Sequence, residues 1–136
     1  MAVFFDTNVL IYSISEAPEE TAKREAARIL LDRIDGVLSV QVLQEFYVQA
    51  TRSSRPGRLD PEDAAEFVRT WTRFKVQDNT LAVLLSALEI KARYGFSYWD
   101  SAVIAAARAA GCTELFTEDL SHGQIVEGVR IINPFH

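Results

Sequence analysis

The chain has 136 residues, 49% of them hydrophobic and 24% charged, so it can form one hydrophobic core and is too short for two ordinary domains. No apolar run approaches the roughly 20 residues that span a bilayer, and the amino terminus lacks the features of a secretory signal. We therefore expect one domain, residues 1–136, in the cytoplasm and away from membranes. The formal net charge of -5, taken alone, argues against binding a polyanion such as nucleic acid.

The amino-terminal elements are predicted from short apolar runs. Residues 2–5 form a buried strand, since AVFF is too short for a helix and ends in Asp-Thr-Asn. Helical spacing predicts a short helix from Val9 to Ile14. Pro18 opens a second helix whose apolar positions continue to Ile34, and Gly36 is expected to close it.

A strand at residues 37–40 and a helix capped by Ser39 follow, with Glu45 beside the apolar face of that helix. The next segment, SSRPGRL, contains the only Pro-Gly pair of the chain and predicts an exposed mobile loop. Three arginines lie in or next to this loop: Arg52, Arg55 and Arg58.

The carboxyl-terminal half alternates in the same way. Asp60-Pro61 starts a helix that extends to Phe74, and Asp78 is the expected cap of the next helix. The other predicted elements are a strand at 75–77, helices at 81–94 (ended by Gly95) and 97–110 (ended by Gly111), and strands at 113–116 and within 128–135. The lone Cys112 excludes an internal disulfide, and packing is its expected role.

This alternation predicts an α/β fold in which a central parallel sheet of four to five strands is flanked by helices. Ligands bind outside the carboxyl ends of the strands in such sheets, and both Asp6 and Asp119 follow predicted strands. Asp100 lies in the first turn of one helix and Glu45 near the start of another. The four acids are therefore expected to converge, and because desolvating a carboxylate is costly, a divalent metal ion is the natural partner.

Each acid also has a purely structural interpretation. Asp100 follows Ser97 by three residues, the spacing of a capping box at a helix start. Asp6 and Asp119 are suited to turns, and Glu45 to the solvated boundary of a helix. Only the combination of all four favours a functional site.

The segments DTNVLIY, QVLQEF, FSYWDSAVIAAARAAGC and ELFTEDLSHG together resemble a PIN-domain ribonuclease, over nearly the whole chain. The length and the closing strand are most similar to the VapC-type toxins of bacterial and archaeal toxin-antitoxin pairs. This resemblance implies that Asp6, Glu45, Asp100 and Asp119 hold one or two Mg2+ or Mn2+ ions, although not every acid need touch the metal.

The resemblance also implies supporting hydrogen bonds from Asn8 and Thr117. The alternatives are that Asn8 caps the first helix and that Thr117 satisfies backbone groups at the strand end. Glu118 would point away from the site if the local backbone is extended. The implied activity is endonucleolytic cleavage of RNA that leaves 5'-phosphate and 3'-hydroxyl ends, and the implied partners are a cognate antitoxin, which covers the cleft, and a second copy of the chain.

Metal chemistry is consistent with this activity. Hard oxygen ligands suit Mg2+, which keeps several waters and leaves one available as the nucleophile. Bound metal also cancels part of the negative charge that argues against a polyanionic substrate.

Substrate contacts are harder to predict than the acids. The three loop arginines are candidates for binding phosphate, and a solvated basic loop is the alternative. Tyr98 and Trp99 could stack an unpaired base, although aromatic residues at a helix start more often belong to a core or an interface. For protein contacts, the helices that carry Tyr47, Phe67 and Trp71 are the first place to look.

Two other classes remain open. A metal-dependent phosphatase or phospho-acceptor domain also places an aspartate at the end of the first strand, but the haloacid-dehalogenase type would prefer a second aspartate where Asn8 stands. A catalytically silent binding module would keep the fold without turnover, and the presence of all four acids argues against it. Metal-dependent cleavage separates these classes.

Overall fold

The computed structural model describes residues 2–136, in which strands alternate with helices. The strands are β1 (Val3–Phe5), β2 (Gly36–Ser39), β3 (Lys75–Gln77), β4 (Glu114–Phe116), β5 (Ile125–Val126) and β6 (Val129–Ile132). The helices are α1 (Thr7–Ser13), α2 (Thr21–Leu31), α3 (Val40–Thr51), α4 (Pro61–Trp71), α5 (Leu81–Tyr94) and α6 (Tyr98–Ala109). A 3-10 turn, Pro18–Glu20, leads into α2.

The six strands form one sheet in the order β3-β2-β1-β4-β6-β5, and all neighbours are parallel except β5 and β6. The predicted α/β fold is confirmed, with six strands rather than four to five. The sequence prediction included β6 and missed β5, the edge strand that pairs with it in a hairpin. Its two-residue turn, Glu127-Gly128, has positive φ at both positions, the conformation that a tight hairpin requires.

Strand β1 lies at the centre of the sheet, and its residues Phe4 and Phe5 are fully buried. Gly36, the first residue of β2, packs directly against this core: a Cβ atom there would lie 2.5 Å from Phe5 Cε2. The prediction that Gly36 closes α2 is therefore wrong. Helix α2 ends at Leu31, and Ile34 is fully exposed in the connection to β2.

Several helix ends agree with the prediction. Ser39 caps α3 by accepting a hydrogen bond from the Val42 backbone, and Gly95 ends α5 with a φ of 79°. The cap of α5 was predicted wrongly: Thr80, not Asp78, accepts the hydrogen bond from the Val83 backbone. The polar run Asp78-Asn79-Thr80 offers three capping residue types in a row, so local sequence alone did not distinguish them.

The aromatic residues of α4 belong largely to the core. Helix α4 ends at Trp71, short of the predicted Phe74, and Trp71 packs edge-on against Phe46 with ring centroids 4.6 Å apart. Only 4% of Trp71 is exposed, so this residue is not available for a protein contact, whereas Phe67 and Tyr47 remain partly exposed.

Cys112 is buried beside the sheet, in agreement with the predicted packing role. Burial raises the pKa of its thiol to about 11, which keeps the thiol protonated and unreactive at neutral pH. Within residues 2–136, no helix has both the length and the apolar character needed to cross a membrane.

Candidate active site

The site lies where the connections of the sheet change direction. The chain builds β2 and β3 on one side of β1, and then returns to place β4 on its other side. This arrangement leaves a crevice between the carboxyl ends of β1 and β4, the usual ligand position in open α/β sheets. The Asp6 backbone N–H donates to the Phe116 carbonyl over 3.0 Å, so Asp6 and Thr117 leave the sheet side by side.

Asp6 is the most buried acid of the site, with 5% of its surface exposed. As the N-cap of α1, its Oδ1 accepts from the Thr7 backbone N–H over 2.7 Å, and its Oδ2 accepts from the Thr117 hydroxyl over 2.8 Å. Burial raises the pKa of Asp6 to about 7, and the negative charges of Asp119 and Glu45 add to this increase against the lowering effect of the two hydrogen bonds. The metal-free protein therefore holds a carboxylate that is costly to ionise.

Thr117 and Asn8 connect Asp6 to Asp119. The fully buried Thr117 hydroxyl accepts from Asn8 Nδ2 and from the Asp119 backbone N–H, each over 3.1 Å, while donating to Asp6. Asn8 Nδ2 also lies 3.3 Å from Asp119 Oδ2. Because Asp6 caps α1, the Asn8 side chain is not needed as the helix cap and instead supports the carboxylates. The Thr117 hydroxyl meets both interpretations, since it donates to the Asp6 carboxylate and accepts from a backbone N–H.

Glu45 is held by two side chains that the sequence prediction did not include. Its Oε2 accepts from the Thr7 hydroxyl over 3.1 Å, and its Oε1 accepts from Gln41 Nε2 over 2.7 Å. Gln41 stands four residues before Glu45 on α3, a spacing at which helical side chains meet, so this partner could have been found from the sequence. Thr7 lies 38 residues away, and no local pattern signals that contact.

Asp100 enters the site from the first turn of α6. Its backbone N–H donates to the Ser97 hydroxyl over 3.1 Å, so the predicted cap is present, while its carboxylate lines the same cleft as the other acids. Partial desolvation raises the pKa of Asp119, and the charges of Asp100 and Glu118 raise it further against the hydrogen bond from Asn8. These electrostatic effects show that the acids lie close enough to repel one another.

All four predicted acids thus line one cleft of about 310 Å³. Of the three predicted arginines, Arg55 lines this cleft and Arg52 lines a neighbouring groove. Arg58 is an exposed loop residue that lines neither the cleft nor the groove. Trp99 also lines the cleft. The sequence left two roles open for this residue, stacking on an unpaired base or packing in a core or an interface.

Glu118 also lines the cleft, because the backbone bends at this residue instead of staying extended, but its carboxylate is bound by other side chains. The Tyr12 hydroxyl donates to its Oε1 over 2.6 Å, and Lys23 Nζ lies 3.2 Å from its Oε2. Partial burial and the hydrogen bond to Glu118 raise the pKa of Tyr12, so its phenol remains a donor at neutral pH. The carboxylate of Glu118 is thus already bound by a phenol and an ammonium group.

The donor chemistry of the cleft fits a hard divalent cation. All four acids offer oxygen ligands. The side-chain amide oxygen of Asn8, Oδ1, is buried without a hydrogen-bond partner among the described residues. Within residues 2–136, no three acidic, histidine or cysteine side chains already converge at metal-binding geometry. Binding an ion would therefore require side-chain rotation, for which the partly exposed Asp100 and Asp119 have room.

Comparison with known proteins defines the class. A family model described as PIN domain matches residues 3–126, and the chain therefore belongs to the PIN domain family. This match confirms the resemblance seen in the sequence and includes all four acids. Comparison with curated proteins finds no significant match.

Solved structures refine the comparison at the level of the fold. A toxin-antitoxin complex from Klebsiella pneumoniae is 18% identical with a TM-score of 0.73, and the match covers 98% of each chain. VapC20 of Mycobacterium tuberculosis, described as a toxin that cleaves the sarcin-ricin loop, is 22% identical with a TM-score of 0.69 over 87% of this chain and 92% of that one. DNA-bound VapBC from Salmonella typhimurium is 24% identical with a TM-score of 0.66 over 96% of both chains. The fold is therefore that of the VapC-type structures.

Proposed function

We propose that this protein is a metal-dependent endoribonuclease and the toxin of a toxin-antitoxin pair, active in the cytoplasm. One observation carries the proposal: four carboxylates from four separate elements line one cleft at the switch point of a PIN-domain sheet. A purely structural role does not explain this arrangement, because clustered carboxylates repel one another and Asp6 is strongly desolvated.

Asp6, Glu45, Asp100 and Asp119 would hold one or two Mg2+ or Mn2+ ions. When bound, such an ion activates a water molecule and offsets the charge that develops on the phosphate. Thr117 and Asn8 fix the carboxylates of Asp6 and Asp119 through the hydrogen bonds described above, and Thr7 and Gln41 fix Glu45. Because these supports donate hydrogen bonds to the acids, they favour the ionised forms that bind metal.

Arg55 is the cation best placed to bind a phosphate of the substrate. It lies in the loop between α3 and α4, lines the same cleft as the acids, and has a buried Nε without a hydrogen-bond partner among the described residues. A guanidinium matches two phosphate oxygens, so a phosphodiester would satisfy this donor. Among the three predicted arginines, only Arg55 lines the acidic cleft, so we assign to it the phosphate contact within that cleft.

Two apolar surfaces are suited to the proposed protein partners. Exposed leucines at helical spacing form a stripe on α5, which we assign to contact with a second copy: Leu81, Leu84, Leu85 and Leu88. An apolar groove of about 610 Å³ between α3 and α4 includes Leu43, Tyr47, Val48 and Val68, and we assign it to a helix of the antitoxin. The helices named from the sequence for protein contacts, α3 and α4, thus keep the proposed antitoxin contact, and the contact with a second copy is proposed at α5.

Cleavage of a mixed cellular RNA pool tests the activity. The wild type and the Asp100→Asn variant are compared with Mg2+, with Mn2+ and with a chelator, and the fragment ends are mapped. We expect metal-dependent cutting that leaves 5'-phosphate ends and falls about 100-fold or more in the variant, because a ligand to the metal is lost.

Asp63→Asn is the matched control. Asp63 and Asp100 each occupy the third position of a helix, in α4 and α6 respectively, so both substitutions remove the same favourable interaction with a helix dipole. Asp63→Asn should cut RNA at the wild-type rate. Hydrolysis of a phosphomonoester without RNA cleavage would instead support the phosphatase class, and the absence of both activities would support a binding module.

A further inference from the structure

Trp99 is an aromatic side chain that the fold leaves exposed beside the acids. It is 63% exposed, whereas the other tryptophan of the chain, Trp71, is 4% exposed. Trp99 immediately precedes Asp100 in the first turn of α6, and Tyr98 contacts its ring edge-to-face with centroids 5.1 Å apart. The indole is therefore held on a regular helix, and more than half of the residue remains open to solvent or to a ligand.

A groove leads from the acidic cleft past this ring. The groove has a volume of about 370 Å³ and is lined by Gln41, Gln44, Glu45, Val48, Gln49, Arg52 and Trp99. Trp99, Glu45 and Gln49 line the acidic cleft as well, so the two depressions are adjacent and share these residues. The groove is therefore the next binding surface for a molecule that extends past these residues from the acids.

The walls of the groove match the chemistry of a nucleotide. A nucleobase offers a flat face to Trp99, and its edges carry donors and acceptors that the amides of Gln44 and Gln49 can meet. Arg52 lies at the same groove, where its positive charge complements a backbone phosphate. An apolar protein segment would leave the Arg52 guanidinium and the Gln49 amide without suitable partners.

We propose that this groove is a nucleobase subsite, in which the unpaired base next to the scissile phosphate stacks on the indole of Trp99. The proposal rests on the proposed ribonuclease activity and adds a requirement: the substrate must present a single-stranded nucleotide at the cut. Stacking alone accepts any base, so Gln44 and Gln49 would provide the preference among bases.

Removing either stacking partner tests the subsite in cleavage. An RNA oligonucleotide that the wild type cuts is compared with the same oligonucleotide lacking the base next to the cut, for the wild type, Trp99→Ala and Trp99→Phe. We expect Trp99→Ala to slow cleavage about 5- to 150-fold and Trp99→Phe to retain most of the rate. Removing the base should slow the wild type by a similar factor and have little further effect on Trp99→Ala.

Fluorescence provides a readout that does not depend on cleavage. Asp100→Asn protein is titrated with single-stranded oligonucleotide in Mg2+; stacking should quench the exposed Trp99, while the buried Trp71 retains its emission and reports that the protein is folded. Trp99→Phe in the same background should show no quenching. Quenching without RNA cleavage by the wild type would overturn the proposed function and keep the nucleobase subsite.

Two results would overturn the subsite alone. One is wild-type cleavage together with an unchanged rate in Trp99→Ala on both oligonucleotides. The other is a change of oligomeric state in Trp99→Ala with unchanged single-turnover cleavage, which would assign the ring to contact with a second copy of the chain.

Discussion

Asparagine at position 6 should change how the stability of the metal-free protein depends on pH. Asp6 is almost fully buried, and burial raises its pKa from 3.8 to about 7. The folded protein therefore binds this proton more tightly than the unfolded chain does. Asparagine has the same shape and no titration in this range, so Asp6→Asn removes the pH dependence that this carboxyl causes.

The sign and size of the effect follow from the two pKa values. Between about pH 4 and 7 the folded state holds more of this proton than the unfolded state, so the free energy of unfolding decreases as pH rises and levels off above the folded pKa. With values of 3.8 and about 7, the total loss is about 4 kcal/mol, of which about 2 kcal/mol falls between about pH 5.5 and 7.5. Stability from this group is thus present at acidic pH and lost toward neutrality.

Urea unfolding in chelator at these two pH values, followed by circular dichroism, measures the effect. The difference in free energy of unfolding between wild type and Asp6→Asn should shift by about 2 kcal/mol in favour of the variant at the higher pH. The raised pKa of Asp119 and the lowered pKa of Asp35 act in both proteins and largely cancel. Any fixed cost of the altered hydrogen bond to Thr117 is independent of pH and cancels too.

Mg2+ should reverse the loss in the wild type only. At 100 times its dissociation constant, a ligand that binds only the folded state adds about 2.7 kcal/mol to the free energy of unfolding. A difference between the two proteins that stays constant from acidic to neutral pH would refute the argument, since it would mean that Asp6 is ionised throughout.

Two further substitutions test the proposed contacts. Arg55→Ala should weaken RNA binding relative to the wild type and lower the salt dependence of that binding by about one ion. Arg58→Ala, in the same loop but outside the cleft, should change neither the affinity nor its salt dependence. Equal effects of the two substitutions in a filter-binding assay over a salt series would contradict the role of Arg55. Leu85→Glu should convert a dimer into a monomer, as measured by light scattering, because it places a charge in the apolar stripe of α5. Ile29→Glu, at an exposed position on α2, should leave the mass unchanged. A monomeric wild type would refute the stripe as a dimer contact.

The convergence of the acids was predictable because three of them, Asp6, Asp100 and Asp119, also mark local structural boundaries. Asp6 follows a buried strand and Asp100 stands in a first helical turn, and the sequence shows both boundaries directly. Parallel topology then brings these boundaries to one edge of the sheet. The order of the strands therefore did not have to be known for the acids to be assigned to one site.

The supporting contacts were less predictable because they depend on residues distant in sequence. Thr7 reaches Glu45 across 38 residues, and Arg55 differs from Arg52 and Arg58 only in where the loop directs its side chain. The end of α2 was missed for a related reason: Ile34 continues the helical spacing of apolar residues, but it lies in an exposed connection. Periodicity reports an apolar residue and does not report whether the fold covers it.

The hydrogen bond from Thr117 to Asp6 joins residues 111 positions apart, and this separation affects the protein during its own synthesis. A growing polypeptide contains Asp6 and Glu45 long before it contains Asp100, Thr117 and Asp119. Small domains fold as units once their sequence is available, and pairing between distant segments forms late. The nascent polypeptide therefore contains two of the four acids of the site and still lacks the Thr117 hydroxyl that binds Asp6. Under the proposed function, this chain cannot cleave RNA until the segment through Asp119 has emerged from the ribosome.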